Sequence, residues 1–241
     1  MKHSKQWPAA LALAALAGGV HAQKAGDWVV GAGALHYAPQ DKSTPLSIVS
    51  PVQREVTGSG ASVSSATTLG LNVHYFVTDN WAVEGVLGVP PKIKLNGAGT
   101  FSPLGELGSA RLYAPAILGK YFFGNADDKL RFSVGAGVTY NAFHSIRLTS
   151  GLQNTLGASF NIPPGASSTS ADIDSKWAPV FTAGVNYAFD QHWGLSFSVS
   201  YVPVKVNATL NTQVAGKTVA VSKTRLTLDP IIPFLYATYK F

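Results

Sequence analysis

Cysteine is absent from this chain, and methionine occurs only at Met1. Without thiols there is no disulfide framework, no thiolate–zinc centre and no cysteine nucleophile. Charge is scarce as well: Asp, Glu, Lys and Arg make up 12% of the 241 residues, against roughly 25% in an average soluble domain. Beyond the N-terminus no apolar run reaches the roughly 18 residues that a membrane helix needs, so a helical membrane bundle is excluded. What is there in quantity is hydrophobic residues, at 46%, which excludes a disordered chain because disorder requires low hydrophobicity and high charge. The formal net charge of +6 comes from scattered lysines and arginines, with no basic stripe of the kind that tracks a phosphate backbone.

The N-terminus has the form of an export signal. Lys2 and Lys5 precede an apolar run from Ala9 to Val20, and Val20-His21-Ala22 has small residues where a signal peptidase reads. Cleavage after Ala22 leaves residues 23–241 as one mature domain.

Along that domain the dominant period is two. Leu69, Leu71, Val73, Tyr75 and Val77 alternate with Gly70, Asn72, His74 and Phe76. The same pattern runs from Phe132 to Asn141 and from Trp193 to Tyr201. It marks strands whose two faces meet different surroundings, and no stretch of comparable length shows helical spacing. Turn signals divide the chain into eight strands, at about 27–37, 65–77, 81–95, 109–123, 130–144, 174–189, 192–210 and 224–241. Short polar links at 78–80, 124–129 and 190–191 alternate with long Gly-, Ser-, Thr- and Pro-rich links at 38–64, 96–108, 145–173 and 211–223. That alternation is expected of an all-β, eight-stranded antiparallel up-and-down transmembrane barrel in a bacterial outer membrane, with short turns and both termini periplasmic.

A soluble lipocalin-like barrel is the competing all-β reading, with its apolar face turned inward. Aromatic placement separates the two. Trp81, Tyr121, Phe123, Phe189, Trp193, Tyr239 and Phe241 all fall at the short-turn ends of their strands, on the apolar face. A ring of such side chains at one height suits a lipid–water interface, and a soluble core has no use for it.

The closing Tyr239-Lys240-Phe241 resembles the C-terminal assembly signal of bacterial outer-membrane proteins, which implies recognition of Phe241 by the assembly machinery. Further segments resemble the OmpW family of outer-membrane proteins. They are Thr78-Asp79-Asn80 before Trp81-Ala82-Val83-Glu84, Lys120-Tyr121-Phe122-Phe123-Gly124, the strand from Phe132 to Tyr140, Asp174-Ser175-Lys176-Trp177 and Leu226-Thr227-Leu228-Asp229-Pro230. They occur in order across the mature chain, and the long loops are the least similar parts. The resemblance implies a narrow barrel through which small hydrophobic molecules cross the outer membrane passively and leave sideways into the bilayer.

The residues can be set against that expectation. Eight strands leave an interior only just wide enough for side chains, but many inward positions are small, such as Gly70, Gly88, Ala114 and Gly135, and others are apolar. Asn72, His74, Val86, Leu112, Leu118 and Phe234 are the candidate lining of a substrate path. Glu84, Lys120 and Arg131 should face inward at one height near the short turns, where opposite charges must pair because an unpaired buried ion is costly; together they would plug the periplasmic end. A lateral exit is then needed. Pro90, Pro91, Pro115, Pro179, Pro203 and Pro233 fall inside the expected strands, although proline cannot donate to a ladder. Pro90, Pro91 and Pro115 lie on neighbouring strands and mark one candidate exit; Pro179 and Pro203 mark another. The alternative is that the prolines only end pairing where strands leave the membrane.

No catalytic constellation emerges. His144-Ser145 has no acidic partner nearby, and adjacent strand residues point to opposite faces. The histidines of the mature chain lack metal-ligand spacing, and Gly135-Ala136-Gly137 lacks the rest of a dinucleotide fingerprint. The expectation is therefore no enzyme, no cofactor, no metal and no nucleic-acid partner, with outer-membrane lipid and small hydrophobic molecules as the partners. Two functions stay open: a passive conduit for such molecules, or a structural or surface-interaction barrel with a filled lumen and no transport.

Overall fold

The computed structural model describes residues 23–241, so the export signal expected over residues 1–22 lies outside the described residues. In chain order the elements are β1 (Trp28–Tyr37), β2 (Lys42–Ser43), β3 (Leu46–Ser50), β4 (Arg54–Val56), β5 (Ser59–Val63), β6 (Ala66–Phe76), β7 (Trp81–Gly88), β8 (Lys92–Gly99) and β9 (Glu106–Tyr113). Then come β10 (Ala116–Phe122), β11 (Leu130–Leu148), the helix α1 (Ser150–Ala158), β12 (Ser168–Ile173), β13 (Lys176–Ala188), β14 (Trp193–Tyr201), β15 (Lys205–Val214), β16 (Lys217–Thr227) and β17 (Ile231–Lys240). Strands β1, β6, β7, β10, β11, β13, β14 and β17 pair antiparallel in that sequence, and β17 pairs with β1, closing an eight-stranded barrel. Close strand contact needs glycine at some crossings: a Cβ on Gly33 or Gly137 would collide with the carbonyl of Leu235 or Ile117 on the neighbouring strand.

The two-residue period decides which face goes where. On β6, Leu69, Leu71, Val73 and Tyr75 are exposed, whereas Gly70, Asn72, His74 and Phe76 are buried. Apart from Val49 and Val52, the exposed large apolar side chains lie on barrel strands or within three residues of one. A soluble barrel buries that face; an outward apolar belt is what a bilayer solvates. At the short-turn end the belt is rimmed by touching aromatic rings, with Trp81–Tyr121 centroids 5.2 Å apart, Trp193–Tyr239 5.0 Å and Tyr239–Phe241 5.1 Å. At the long-loop end Tyr140 packs against Trp177 at 5.1 Å.

The turns between β6 and β7, β10 and β11, and β13 and β14 are short and locally bonded. In the last, the Asp190 carboxylate accepts the amide hydrogens of His192 (2.8 Å) and Trp193 (2.7 Å), and these bonds hold its carboxyl below the usual aspartate value.

Four of the expected strands are interrupted in the structure. The segments expected as 81–95, 109–123, 192–210 and 224–241 break at residues 89–91, 114–115, 202–204 and 228–230. Pro90, Pro91, Pro115, Pro203 and Pro230 occupy these breaks, because a residue without an N–H cannot extend a ladder. Of the six prolines expected inside strands, only Pro179 and Pro233 are so placed, opposite Val138 and Val199.

The long links are also more ordered than their composition suggests. They carry strand extensions, a second sheet in the order β12-β15-β16-β3-β4 and the helix α1, which was not expected from the sequence. Thr149 caps α1 by accepting the Leu152 amide hydrogen at 3.4 Å, and Leu152 and Leu156, one turn apart, are its buried face. Nine residues containing two glycines leave too short a period to read.

Candidate functional site

The barrel interior divides by height. Near the short turns, Asn72 and His74 of β6, Glu84 of β7 and Lys120 of β10 converge because each occupies the inward phase of its strand. His74 Nε2 lies 3.1 Å from Glu84 Oε1, and Lys120 Nζ 3.3 Å from Glu84 Oε2. The Asn72 amide donates to Glu84 Oε1 at 2.7 Å. Below this group Val29, Phe76, Ala82 and Phe122 form a small apolar layer.

Arg131 is placed differently from the single network expected with Glu84 and Lys120. Its guanidinium lies beyond the apolar layer and donates to the carbonyls of Asp79 (2.7 Å), Phe122 (3.2 Å), Phe123 (3.4 Å) and Gln23 (3.4 Å), with its centre 5.4 Å from the Phe122 ring. Three residues not singled out from sequence complete the floor: Ser196 Oγ donates to Asn186 Oδ1 at 2.8 Å, and the Asn186 amide donates to Ser133 Oγ at 3.2 Å. Their inward phase on alternating strands was the available signal.

Above the floor lies a mostly apolar lumen cavity of about 900 Å³, its open mouth included. Of the expected path residues, Val86, Leu112, Leu118 and Phe234 line it, as does Glu84. Asn72 and His74 do not; the structure places them in the polar group beneath. Farther toward the long-loop end a second cavity, of about 930 Å³ with its mouth, is walled by apolar residues including Leu46, Ile93, Phe101, Leu152 and Leu210. One cluster of buried apolar side chains runs from Val63 and Ile93 beside the second cavity to Leu118 and Val180 beside the first.

The barrel wall is incomplete beside the lumen cavity. Pairing of β7 with β10 stops at Val86 opposite Ala116. It resumes only where the Leu112 amide donates to the Pro91 carbonyl at 3.1 Å and Lys92 lies opposite Arg111. Gly88, Pro91, Ala114 and Ala116 flank this break and line the cavity. A second interruption separates β13 from β14: pairing ends at Phe181 opposite Tyr201 and resumes where the Asp174 amide donates to Asn207 at 3.1 Å. Here the exposed Trp177 stands against Tyr140. Among the described residues no group of His, Asp or Glu is arranged to hold a metal ion.

A closed barrel with an outward apolar belt, aromatic rims and a polar floor under an apolar lumen is a transmembrane β-barrel protein of the outer membrane. The chain belongs to the OmpW family, whose model matches residues 24–241. It is similar to outer membrane protein AlkL of Ectopseudomonas oleovorans, with 34% identity over 75% of this chain and 68% of that protein. It is also similar to outer membrane protein W of Vibrio cholerae, with 29% identity over 92% of each. The crystal structure of OprG from Pseudomonas aeruginosa has the same fold, with a TM-score of 0.78 and 24% identity over 92% of this chain and 99% of that one.

Proposed function

We propose that the protein admits small hydrophobic molecules from outside the cell and releases them sideways into the bilayer between β7 and β10. Short turns and both termini lie on the periplasmic side, and Phe241 is the handle for the outer-membrane assembly machinery. A molecule enters the upper apolar cavity, passes the continuous apolar cluster into the lumen, and meets a floor it has no means of crossing. Water-soluble cargo is disfavoured because the path offers it few hydrogen-bond partners, and each polar group desolvated without a partner costs about 1–3 kcal/mol.

The observation that carries this reading is that the lumen cavity touches the wall where β7 and β10 are unpaired. The flanking Gly88, Ala114 and Ala116 bear nothing beyond a methyl group, so none of these three positions puts a bulky side chain across the break. Gly88 also has room for a side chain: a Cβ there would meet nothing closer than 3.7 Å. Gly88→Phe should therefore fold normally and fill the exit. Uptake of an apolar fluorescent probe into liposomes carrying this variant should fall about tenfold, the effect of a barrier about 1.4 kcal/mol higher. Uptake equal to that of the unaltered protein would remove the β7–β10 route. Uptake no faster than in protein-free liposomes, for the unaltered protein itself, would favour a structural or surface-interaction barrel.

A further inference from the structure

Where strand pairing resumes above the β7–β10 break, the outward surface turns basic. Lys92 lies opposite Arg111, and Arg111 lies opposite His144, in register across β8, β9 and β11. One step farther along β11, Arg147 lies opposite Ser109. All four ionisable side chains are exposed. Like charges directly opposite on one sheet face have Cβ atoms about 4.5–5.5 Å apart and destabilise the pair. Nothing among the described residues offsets this. Lys94 has Glu106 at 2.9 Å, but Lys92, Arg111 and Arg147 have no acidic partner among the described residues.

The local backbone contributes to this arrangement. Between His144 and Arg147 the register of β11 against β9 slips by one residue, and Ser145 adopts a φ of 52°. A bulge of this kind re-aims the side chains that follow it. Here it lets Phe143 and Ile146 both line the upper cavity while His144 and Arg147 both stay exposed on the other side. In an unbroken strand, 143 and 146 would face opposite ways. A non-glycine residue is thus held in the left-handed region at the place where the bulge keeps Arg147 with the other cations.

Height identifies what these cations meet. Tyr113 and Tyr140 are exposed aromatics at the long-loop end of the lipid-facing belt, and the Tyr113 ring packs against His144 at 5.0 Å. Arg111 lies two residues beyond Tyr113 and His144 four beyond Tyr140, which puts them about 5–10 Å farther out on a tilted strand. That is the layer of lipid headgroups.

We propose that Lys92, Arg111 and Arg147 form a binding site for the phosphate groups of an outer-leaflet phosphorylated saccharolipid, held directly above the β7–β10 break. A phosphate oxygen accepts charge-assisted hydrogen bonds from both guanidinium groups and the ammonium, and its charge relieves their mutual repulsion. His144 edges the site through Tyr113. The bound lipid becomes part of the wall next to the break, with its acyl chains on the surface formed by Val89 and Ile117, both exposed.

The test uses the full-length barrel in micelles and reads bound lipid by native mass spectrometry, with bis-phosphorylated lipid A, its dephosphorylated form and inorganic phosphate as probes. In the variant K92Q/R111Q/R147Q, retention of bis-phosphorylated lipid A should fall about tenfold, as expected from losing three exposed charge contacts. The dephosphorylated lipid should bind the unaltered protein about as weakly. A control, K205Q/K217Q/K223Q, removes as much charge from β15 and β16 and should leave retention unchanged. Equal loss in the control would overturn a local site and leave only general attraction. Unchanged retention in the first variant would overturn the proposal, as would displacement of the lipid by an equal concentration of inorganic phosphate. Heat-dependent gel mobility verifies that each variant is folded, and K92R/R111K/R147K, which keeps the charges, should restore binding. No transport is measured, so a failed sideways release leaves this result standing, and the reverse also holds.

Discussion

Lys120 is 1% exposed inside a membrane barrel, with its Nζ 3.3 Å from Glu84 Oε2 and 3.5 Å from His74 Nε2. Two opposite charges in a confined interior are tolerable together and costly apart, because the survivor of a broken pair has neither water nor a counter-ion. Glu84→Gln should therefore destabilise the barrel by about 3 kcal/mol, read as a lower urea midpoint in micelles. The double variant Glu84→Gln/Lys120→Met, which removes both charges, should recover most of the loss. A Glu84→Gln midpoint equal to that of the unaltered protein would mean that the pair is solvated. The nearness of Glu84 to Lys120 was legible from strand phase and distance from the aromatic rim. The placement of Arg131 was not. Its partners are carbonyl oxygens, which every residue has and no sequence pattern marks.

At the scale of elements, proline sets the length of the barrel strands. Pro90, Pro91 and Pro115 end β7 and precede β10, and the ladder between those strands is lost over the same stretch. Replacing the three with Val or Thr restores the missing amide hydrogens. Hydrogen exchange over residues 87–91 and 113–116 should then slow at least tenfold if those amides find partners, and probe uptake should drop with it. Slow exchange with undiminished uptake would uncouple the break from release. Period two made the membrane strands readable. The upper parts were less readable: the expected strands ran on through Pro90, Pro91, Pro115 and Pro203, where they break, and β11 was expected to end at 144 because the bulge at Ser145 puts its last residues out of phase. The helix α1 was hidden for another reason: it buries only one short apolar face.

For the whole molecule, the barrel and its aromatic rims followed from alternation and turn lengths, whereas the architecture of the long-loop end did not. That end is built from pairings between segments distant in sequence, such as β3 with β16, and no local period encodes such partners. Orientation can be tested directly because the chain has no cysteine. Ala166→Cys and Lys129→Cys introduce single thiols at exposed positions of opposite ends. On intact cells a membrane-impermeant maleimide should label the first at least tenfold more than the second, since reaction requires an accessible thiolate. The reverse ratio would invert the barrel.

Ser145 has one more consequence, which concerns counting. The strand from Leu130 to Leu148 behaves as a tally in which odd and even places belong to different environments, and Ser145 is the supernumerary mark. Without it, Phe143, His144, Ile146, Arg147 and Leu148 would alternate without a fault, so this is the residue the segment can lose with every neighbour still facing its own side. Loss of a single residue elsewhere between Leu130 and His144 would exchange inside for outside along the rest of the strand, sending cavity-facing groups toward lipid.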